Sequence, residues 1–153
     1  MSELAEIVRR LDALEAAESI KRMKARYWRF VDEKKYDDLV ALFAPGAKIV
    51  IHGTEWPSAR ELVDATREYT GGAPTVHHGH MPEIEILGED VASGVWMLED
   101  LVPFKAGENA PPGHRGYGMY RETYRRIEGI WLIDSLELTR FRMDPMDNWV
   151  REA

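Results

Sequence analysis

The sequence contains no cysteine, which excludes disulfides, thiolate nucleophiles and cysteine metal sites. It also has no apolar run of about 18 residues, the length that a transmembrane helix requires. Its N-terminal residues are acidic and amphipathic rather than signal-like. These absences predict a cytoplasmic protein that does not enter a membrane.

Basic charge is also scarce. The formal net charge is −7 and the pI is about 5.3, and the Arg residues of the last third are interleaved with Glu and Asp. A nucleic-acid-binding protein needs a basic surface that displaces phosphate counterions, and anionic membranes attract the same kind of surface. Neither partner is therefore expected.

Several sequence motifs of known chemistry are missing as well. Glycine-rich phosphate loops, dinucleotide-binding fingerprints and Gly-x-Ser-x-Gly elbows are absent. The titratable groups that the chain does contain fit proton transfer better than covalent or phosphoryl chemistry.

What the chain contains is typical of a packed globular protein. Its 153 residues suit one domain over residues 1–153, and 44% of them are hydrophobic. Five Trp and six Tyr are many for this length. Such side chains build a core, and they also line pockets for flat ligands.

Apolar residues recur at helical spacing through the first third of the chain. The phase of this pattern shifts near Ala16–Ser19, which predicts two consecutive helices or one bent helix ending near Glu33–Lys35. A short helix over Tyr36–Phe43 is predicted next, and Pro45 should stop it.

Strand patterns follow. Lys48–His52 predicts a short strand, and Ser58 should cap one more helix that ends at Gly71. Glu128-Gly129 is typical of a two-residue hairpin turn. Strands of about twelve residues must twist and coil, so we expect an α+β fold, a cone-shaped barrel in which a highly curved, mostly antiparallel sheet surrounds the N-terminal helices. The four long strands are predicted over Val76–Leu87, Val91–Phe104, Arg115–Ile127 and Ile130–Arg142.

The segment Lys105–His114 is predicted to be the one long flexible loop. It contains two Gly and two Pro residues and joins two of the predicted strands. A loop in that place is a candidate lid over a binding pocket.

Three histidines fall close together at the start of a predicted strand: His77, His78 and His80. Strand alternation places His78 and His80 on one face and His77 on the other. Three interpretations stay open from the residues alone. They are a general base beside an orienting carboxylate, a set of surface side chains, and a metal site completed by Glu99 or Asp100.

Acidic and basic side chains also stand beside apolar runs. Asp32 follows the apolar end of a helical pattern, five positions after Tyr27. Either Glu99 or Asp100 should face the interior, where a carboxylate must be paired, hydrogen-bonded or protonated. Arg140 on the last strand is an available partner. The common alternatives are a solvated helix-terminal Asp, a core Tyr and a surface Arg in a cross-strand pair.

Several of these segments together form a pattern known from one superfamily. They are Ile20–Tyr27, Val31-Asp32, Leu42–Ala44, Val76–His80, Trp96–Asp100, Gly116–Tyr120 and Gly129–Trp131 leading to Leu138–Arg140. With them the chain resembles, over nearly its whole length, the SnoaL-like branch of the nuclear transport factor 2 superfamily. The resemblance is to the group of scytalone dehydratase, bile-acid 7α-dehydratase and hexachlorocyclohexane dehydrochlorinase.

The resemblance implies a role for each candidate residue. His77 and Asp32 look like the acid–base pair of the family, and Tyr27 like a second polar group for the substrate. Asp100 matches the strand acid and Arg140 the basic residue of the last strand. The implied reaction is an elimination or allylic isomerisation that needs neither a cofactor nor a metal.

Substrate contacts are predicted for His78, His80, Trp96, Tyr117 and Tyr120. The expected substrate is a small apolar ring compound, such as a steroid, a polyketide or a lignin-type aromatic. Two other functions stay open: a carbon–carbon lyase or cofactor-free oxygenase with the same residues, and a non-catalytic ligand-binding or dimerisation module. Relatives associate through the outer face of the sheet, so the resemblance implies a homodimer or homotrimer.

Overall fold

The computed structural model describes residues 2–150. The two ends of the predicted domain, Met1 and residues 151–153, lie outside the described residues. Within 2–150 the chain forms three helices and six strands. In chain order these are α1 (Glu3–Asp32), α2 (Tyr36–Val40), β1 (Phe43–Ile51), β2 (Thr54–Trp56), α3 (Ala59–Thr70), β3 (Val76–Ile86), β4 (Val91–Val102), β5 (Gly113–Ile127) and β6 (Ile130–Met146).

The six strands form one curled, unclosed sheet in the order β2-β1-β6-β5-β4-β3. Its pairs are antiparallel except for β1 and β6, which run parallel. The longest strands are β5 and β6, with 15 and 17 residues, and strands of this length coil strongly. The prediction of an α+β fold with a curved, mostly antiparallel sheet is confirmed.

α1 is one continuous helix of 30 residues, so of the two predicted alternatives, two consecutive helices or one bent helix, the structure has a single helix. Its N-cap is Ser2, whose Oγ accepts a hydrogen bond from the Ala5 amide (3.2 Å). The phase shift near Ala16 instead marks a change of environment, because the positions before Ala16 are mostly exposed and the buried ones begin there. No helix within residues 2–150 is both long and apolar enough to cross a membrane.

The region after α1 differs from the prediction. α2 ends at Val40, and Phe43 already belongs to β1, where it pairs with Ile133 of β6. Pro45 lies inside β1 and does not terminate a helix. The pairing of β1 with β6 is irregular between Phe43 and Lys48, and a strand interruption of this kind tolerates a proline that cannot donate to the ladder.

Three local predictions are confirmed. The Ser58 side chain caps α3 by accepting a hydrogen bond from the Glu61 amide (3.2 Å). Gly71 ends the same helix in the left-handed conformation, with a φ of 53°. Glu128 and Gly129 both have positive φ values, 50° and 79°, as a tight hairpin between twisted strands requires.

The inner face of the sheet carries the core. Side chains of β4 alternate between buried and more exposed positions, so that Trp96, Leu98 and Asp100 face inward together. The second half of α1 packs there and buries Ile20 and Met23. Strand alternation therefore brings a carboxylate, Asp100, into an otherwise apolar interior.

A buried ion pair crosses this core. The Lys24 ammonium on α1 is 2.7 Å from Glu122 Oε1 on β5, and both side chains are fully buried. Tyr124 donates to the other Glu122 oxygen, and the Lys24 nitrogen lies over the rings of Tyr27 (3.8 Å) and Tyr120 (4.5 Å). Burial lowers the pKa of Lys24, while the Glu122 carboxylate opposes this shift. Sequence analysis missed the pair, because no local pattern joins residues so far apart in the chain.

Replacing Lys24 alone should destabilise the protein more than replacing both partners. Lys24→Met leaves a buried carboxylate without its cation, which should cost about 3–5 kcal/mol. Lys24→Met/Glu122→Gln removes both charges, keeps an acceptor for Tyr124 and should recover most of that loss. Urea unfolding measures both free energies, and equal losses in the two variants would contradict the coupling.

Candidate active site

A cavity of about 210 Å³ lies between α1, α3 and the inner face of the sheet. Much of its wall is apolar, with Val31, Leu62, Phe104 and Leu138 among the lining residues. A few polar groups that converge in an apolar cavity are the usual form of a small-molecule site. The polar side chains that line this cavity include Tyr27, His77, Asp100, His114, Tyr120 and Arg140.

His77 and Asp32 are hydrogen-bonded where the end of α1 meets the start of β3. His77 Nδ1 is 2.7 Å from Asp32 Oδ1, and the His77 amide donates to Asp32 Oδ2 (3.0 Å). The Thr75 hydroxyl also donates to Oδ1 (2.9 Å). Burial by itself would raise the pKa of Asp32, but the hydrogen bonds from His77 and Thr75 and the His77 charge outweigh it, and the pKa is lowered.

The direction of the His77–Asp32 bond decides which nitrogen can act as a base. An ionised carboxylate only accepts hydrogen bonds, so Nδ1 of His77 carries the proton. In the neutral imidazole, Nε2 is then the unprotonated nitrogen. His77 lines the cavity with its side chain only 11% exposed, and Nε2 is 3.9 Å from Asp100 Oδ2. The geometry is that of a general base oriented by a carboxylate.

Asp100 and Arg140 form a second ion pair at the cavity wall. Arg140 Nη1 donates to Asp100 Oδ1 (2.9 Å) and Nη2 lies 2.7 Å from Oδ2, a bidentate contact between a partly buried guanidinium and a buried carboxylate. Gly116 makes this contact possible. Its strand, β5, lies between β4 and β6, and a Cβ at Gly116 would meet the side chains of both Asp100 and Arg140.

Sequence analysis missed His114, which belongs to the same cluster. Its Nε2 lies 3.7 Å from Asp100 Oδ1 and 3.4 Å from Arg140 Nη2. Burial lowers the pKa of His114; the Asp100 charge opposes this shift and the Arg140 charge reinforces it. The available signal was strand spacing, because His114 lies two residues before Gly116 and so faces the same side of β5.

The loop predicted as a lid borders this cavity. Phe104 near its start and His114 near its end both line the cavity, and their rings pack edge-on with centroids 5.7 Å apart. The C-terminal segment holds the loop, since the Trp149 amide donates to the Phe104 carbonyl (2.8 Å) and Asn148 Nδ2 to the Pro111 carbonyl (3.0 Å). The function of this loop as a lid stays a prediction.

Tyr27 and Tyr120 form the floor between the cavity and the Lys24–Glu122 pair. Their rings contact each other with centroids 6.2 Å apart, and both side chains line the cavity. Burial raises the pKa of each phenol, and the nearby carboxylates act in the same direction. Both hydroxyls therefore keep their protons at neutral pH and can donate hydrogen bonds.

The other predicted substrate contacts lie away from the cavity. His78 and His80 are exposed on the outer face of β3, and Tyr117 lies on the outer face of β5, because alternate strand residues point to opposite sides. Trp96 faces inward but is buried in the core, where Nε1 donates to the Tyr124 hydroxyl (2.8 Å). Of the five predicted contacts, Tyr120 is the one that lines the cavity.

Within the described part of the chain, no three His, Asp or Glu side chains are grouped so that they could hold a metal ion. His78 and His80 lie on the outer face of β3, whereas Asp100 faces the interior. The strand geometry therefore puts His78 and His80 on the opposite side of the sheet from Asp100, so these three residues cannot bind one metal ion together.

Comparison with known families identifies the group to which this fold and site belong. The family model for the SnoaL-like domain matches residues 12–137. The chain belongs to the SnoaL-like family. The matched range of this SnoaL-like protein includes Asp32, His77, Asp100 and His114, and Arg140 follows shortly after it.

Known relatives of this SnoaL-like protein include a curated protein and solved structures. "Probable cyclase FGR4" from Gibberella zeae is 26% identical over 138 residues, which cover 82% of this chain and 91% of that protein. Hexachlorocyclohexane dehydrochlorinase LinA-type3 from Novosphingobium barchaimii superposes with a TM-score of 0.74 at 16% identity, covering 93% of this chain and 99% of that chain. An NTF2-like protein with a cystatin-like fold from Novosphingobium aromaticivorans gives 0.69 at 19% identity, covering 92% of each chain. The structural likenesses show the NTF2-like cone fold.

Stability should depend on pH through Asp32. Because folding lowers its pKa, Asp32 contributes its full stabilisation above its ordinary pKa of 3.8 and loses it as the pH falls through the lowered value. Asp32→Asn should therefore be less stable than the wild type at about pH 6, and the difference should shrink towards about pH 3. Thermal unfolding of both proteins across this range tests the expectation, and a constant difference would contradict it.

Adding a methyl group at position 116 should disrupt the Asp100–Arg140 pair. We expect Gly116→Ala to lower the free energy of unfolding by about 1–3 kcal/mol, because the new Cβ overlaps both charged side chains. Gly88→Ala is the matched control, since no atom lies near its Cβ, and it should change stability by about 0.5 kcal/mol or less. A Gly116→Ala protein as stable as Gly88→Ala would rule out the overlap.

Proposed function

We propose that this SnoaL-like protein is a lyase or isomerase that uses His–Asp acid–base chemistry, without a cofactor, on a small apolar ring compound. The observation that carries the proposal is the position of His77. Its Nδ1 is bound to Asp32, and its unprotonated Nε2 faces an apolar cavity beside the Asp100–Arg140 ion pair. A base of this kind contributes about 10²–10⁴-fold to a proton transfer.

In the proposed elimination, His77 Nε2 removes a proton from a carbon next to a carbonyl group. The electron pair left on that carbon forms the new double bond as the hydroxyl group on the next carbon departs. Asp32, at 2.7 Å from Nδ1, stabilises the imidazolium that forms. Asp100 lies 3.9 Å from Nε2 on the other side of the ring, and its charge is balanced by Arg140.

The departing oxygen needs a proton donor. Asp100 is engaged by Arg140 through both oxygens, so we assign the donation to Tyr27, whose raised pKa keeps its hydroxyl protonated. The hydroxyl then leaves as water, and the imidazolium of His77 returns its proton to the Tyr27 phenolate. In an isomerisation the same proton returns to another carbon of the substrate.

The cavity limits the size of the substrate. Its volume of about 210 Å³ is below the range of about 300–1,000 Å³ that is usual for drug-sized ligands. This favours a compound of one or two rings, such as a polyketide or lignin-type aromatic, over the four fused rings of a steroid. Its apolar walls and aromatic side chains suit a flat ligand.

The names of the relatives agree with this class of reaction. One is named a cyclase and another a dehydrochlorinase, and both names describe the processing of small molecules. Ring closure is a second candidate function, supported by the name of the curated relative. It would use the same step, proton removal next to a carbonyl, with the resulting carbanion attacking a second carbonyl of the same substrate.

The arrangement of the polar groups is evidence against a purely ligand-binding or dimerisation module. Such a module has no need of an oriented base, yet His77 and Asp32 are in contact and the Asp100–Arg140 ion pair lies beside them. Holding a buried carboxylate and three partly buried ionisable groups beside an apolar cavity costs stability. We therefore favour the catalytic interpretation.

A ligand screen followed by product analysis tests the proposal. Thermal-shift assays against one- and two-ring phenols, polyketide-like ketones and lignin-type aromatics should identify ligands, because saturation at about 100 times Kd stabilises the folded state by about 2.7 kcal/mol. Each ligand is then incubated with the protein and its product is weighed by mass spectrometry. Loss of one water indicates elimination, and an unchanged mass with a new absorption spectrum indicates isomerisation.

Variants of the site should separate catalysis from binding. We expect His77→Ala and Asp32→Asn each to lower kcat by about 10²–10⁴-fold while the thermal shift with ligand persists. His78→Ala is the matched control: it changes the adjacent histidine, which faces outward, and should keep full activity. Full turnover in either site variant, or equal losses in all three, would overturn the assignment.

A further inference from the structure

The turn that follows α1 contains Lys34, whose backbone conformation usually belongs to glycine. The amide of Lys34 donates to the Val31 carbonyl (3.2 Å) and that of Lys35 to the Phe30 carbonyl (2.9 Å). These two bonds are the Schellman pattern at the end of a helix, in which the residue at the position of Lys34 is usually glycine. Lys34 has a φ of 61°, which is unfavourable for a residue with a side chain. The chain accepts this conformation, which suggests that the Lys34 side chain has a specific use.

The side chain of Lys34 extends to the residue that supports Asp32. Its Nζ donates to Thr75 Oγ1 (2.8 Å), and the Thr75 hydroxyl donates to Asp32 Oδ1 (2.9 Å). An ammonium group has no acceptor, so Lys34 must be the donor, and the hydroxyl proton of Thr75 is then directed at the carboxylate. Thr75 is itself buried, which leaves its hydroxyl little freedom to rotate.

We propose that Lys34 is a positioning residue: through Thr75 it holds the Asp32 carboxylate ionised and aligned with Nδ1 of His77. This inference rests on the proposed function, because it concerns the base of that reaction. Lys34 does not line the cavity, and it acts only through Thr75 and Asp32. It explains why a lysine occupies a position where glycine would be less strained.

Charged groups other than Lys34 also contribute to the electrostatic environment of the Asp32 carboxylate. His77 faces it from β3 through two hydrogen bonds. Burial lowers the pKa of Lys34, and the Asp32 charge on the other side of Thr75 opposes this shift. Further charged groups border the Asp32–His77 pair from other positions: Arg29 and Glu33 on and after α1, Asp100 on β4, His114 on β5 and Arg140 on β6.

Lys34→Gly tests this proposal, because it separates the backbone from the side chain. Glycine adopts a positive φ without strain, so the melting temperature should stay unchanged or rise. The carboxyl carbon of Asp32, followed by NMR across an acid titration, should titrate at a higher pH than in the wild type, because the carboxylate loses its aligned donor and nearby cation. With a substrate identified by the thermal-shift screen and product analysis, kcat should fall about tenfold with little change in KM.

Two controls make the result specific. Glu128→Gly removes the side chain of another residue with positive φ (50°), in the hairpin between β5 and β6, and should leave the Asp32 titration and kcat unchanged. Lys34→Arg keeps a cationic donor, so its Asp32 titration and its kcat should both lie between those of Lys34→Gly and the wild type. An Asp32 titration that is the same in Lys34→Gly and in the wild type would overturn the proposal. This readout needs no substrate, so it decides the role of Lys34 even if His77→Ala keeps its activity and the proposed reaction fails.

Discussion

The Asp32 carboxylate joins the two parts of the structure on which the site depends. It is the last residue of α1, and it binds the backbone and side chain of His77 and the hydroxyl of Thr75 at the start of β3. The same contacts that hold the helix against the edge strand also set the tautomer of the histidine. Structure and chemistry therefore share one set of hydrogen bonds, and a change to Asp32 affects both.

The interior contains a fully buried ion pair, Lys24–Glu122, and a partly buried one, Asp100–Arg140, separated by two tyrosines. Lys24–Glu122 lies in the core, Asp100–Arg140 lies at the cavity wall, and Tyr27 and Tyr120 line the cavity above the first pair. Buried ion pairs rarely add net stability compared with apolar side chains of the same volume. Their presence here fits an interior arranged to hold polar groups in fixed places around a small cavity.

Much of the fold and part of the site could be predicted from local patterns. Strand alternation correctly separated His77 from His78 and His80 and put Glu99 and Asp100 on opposite faces, because the period of two is a property of every strand. Alternation left open which of the two acids faces inward, and the family resemblance pointed to Asp100. Alternation could not tell that Trp96 is covered by the core while Tyr120 lines the cavity, since both face inward. The Pro45 prediction was wrong because an irregular strand pairing accepts the same residue that ends a helix.

By itself the sequence determined the α+β class, the caps and the hairpin, since these depend on spacing and on turn residues that act within a few positions. It also supported the choice of His77, Asp32, Asp100 and Arg140, through resemblance to a family. Only the tertiary structure decided which atoms meet. Lys34 reaches Asp32 across Thr75, Lys24 meets Glu122, and Gly116 leaves the space in which Asp100 meets Arg140. These contacts join residues far apart in the chain, and their geometry follows from how the sheet curls around α1, which no local pattern specifies.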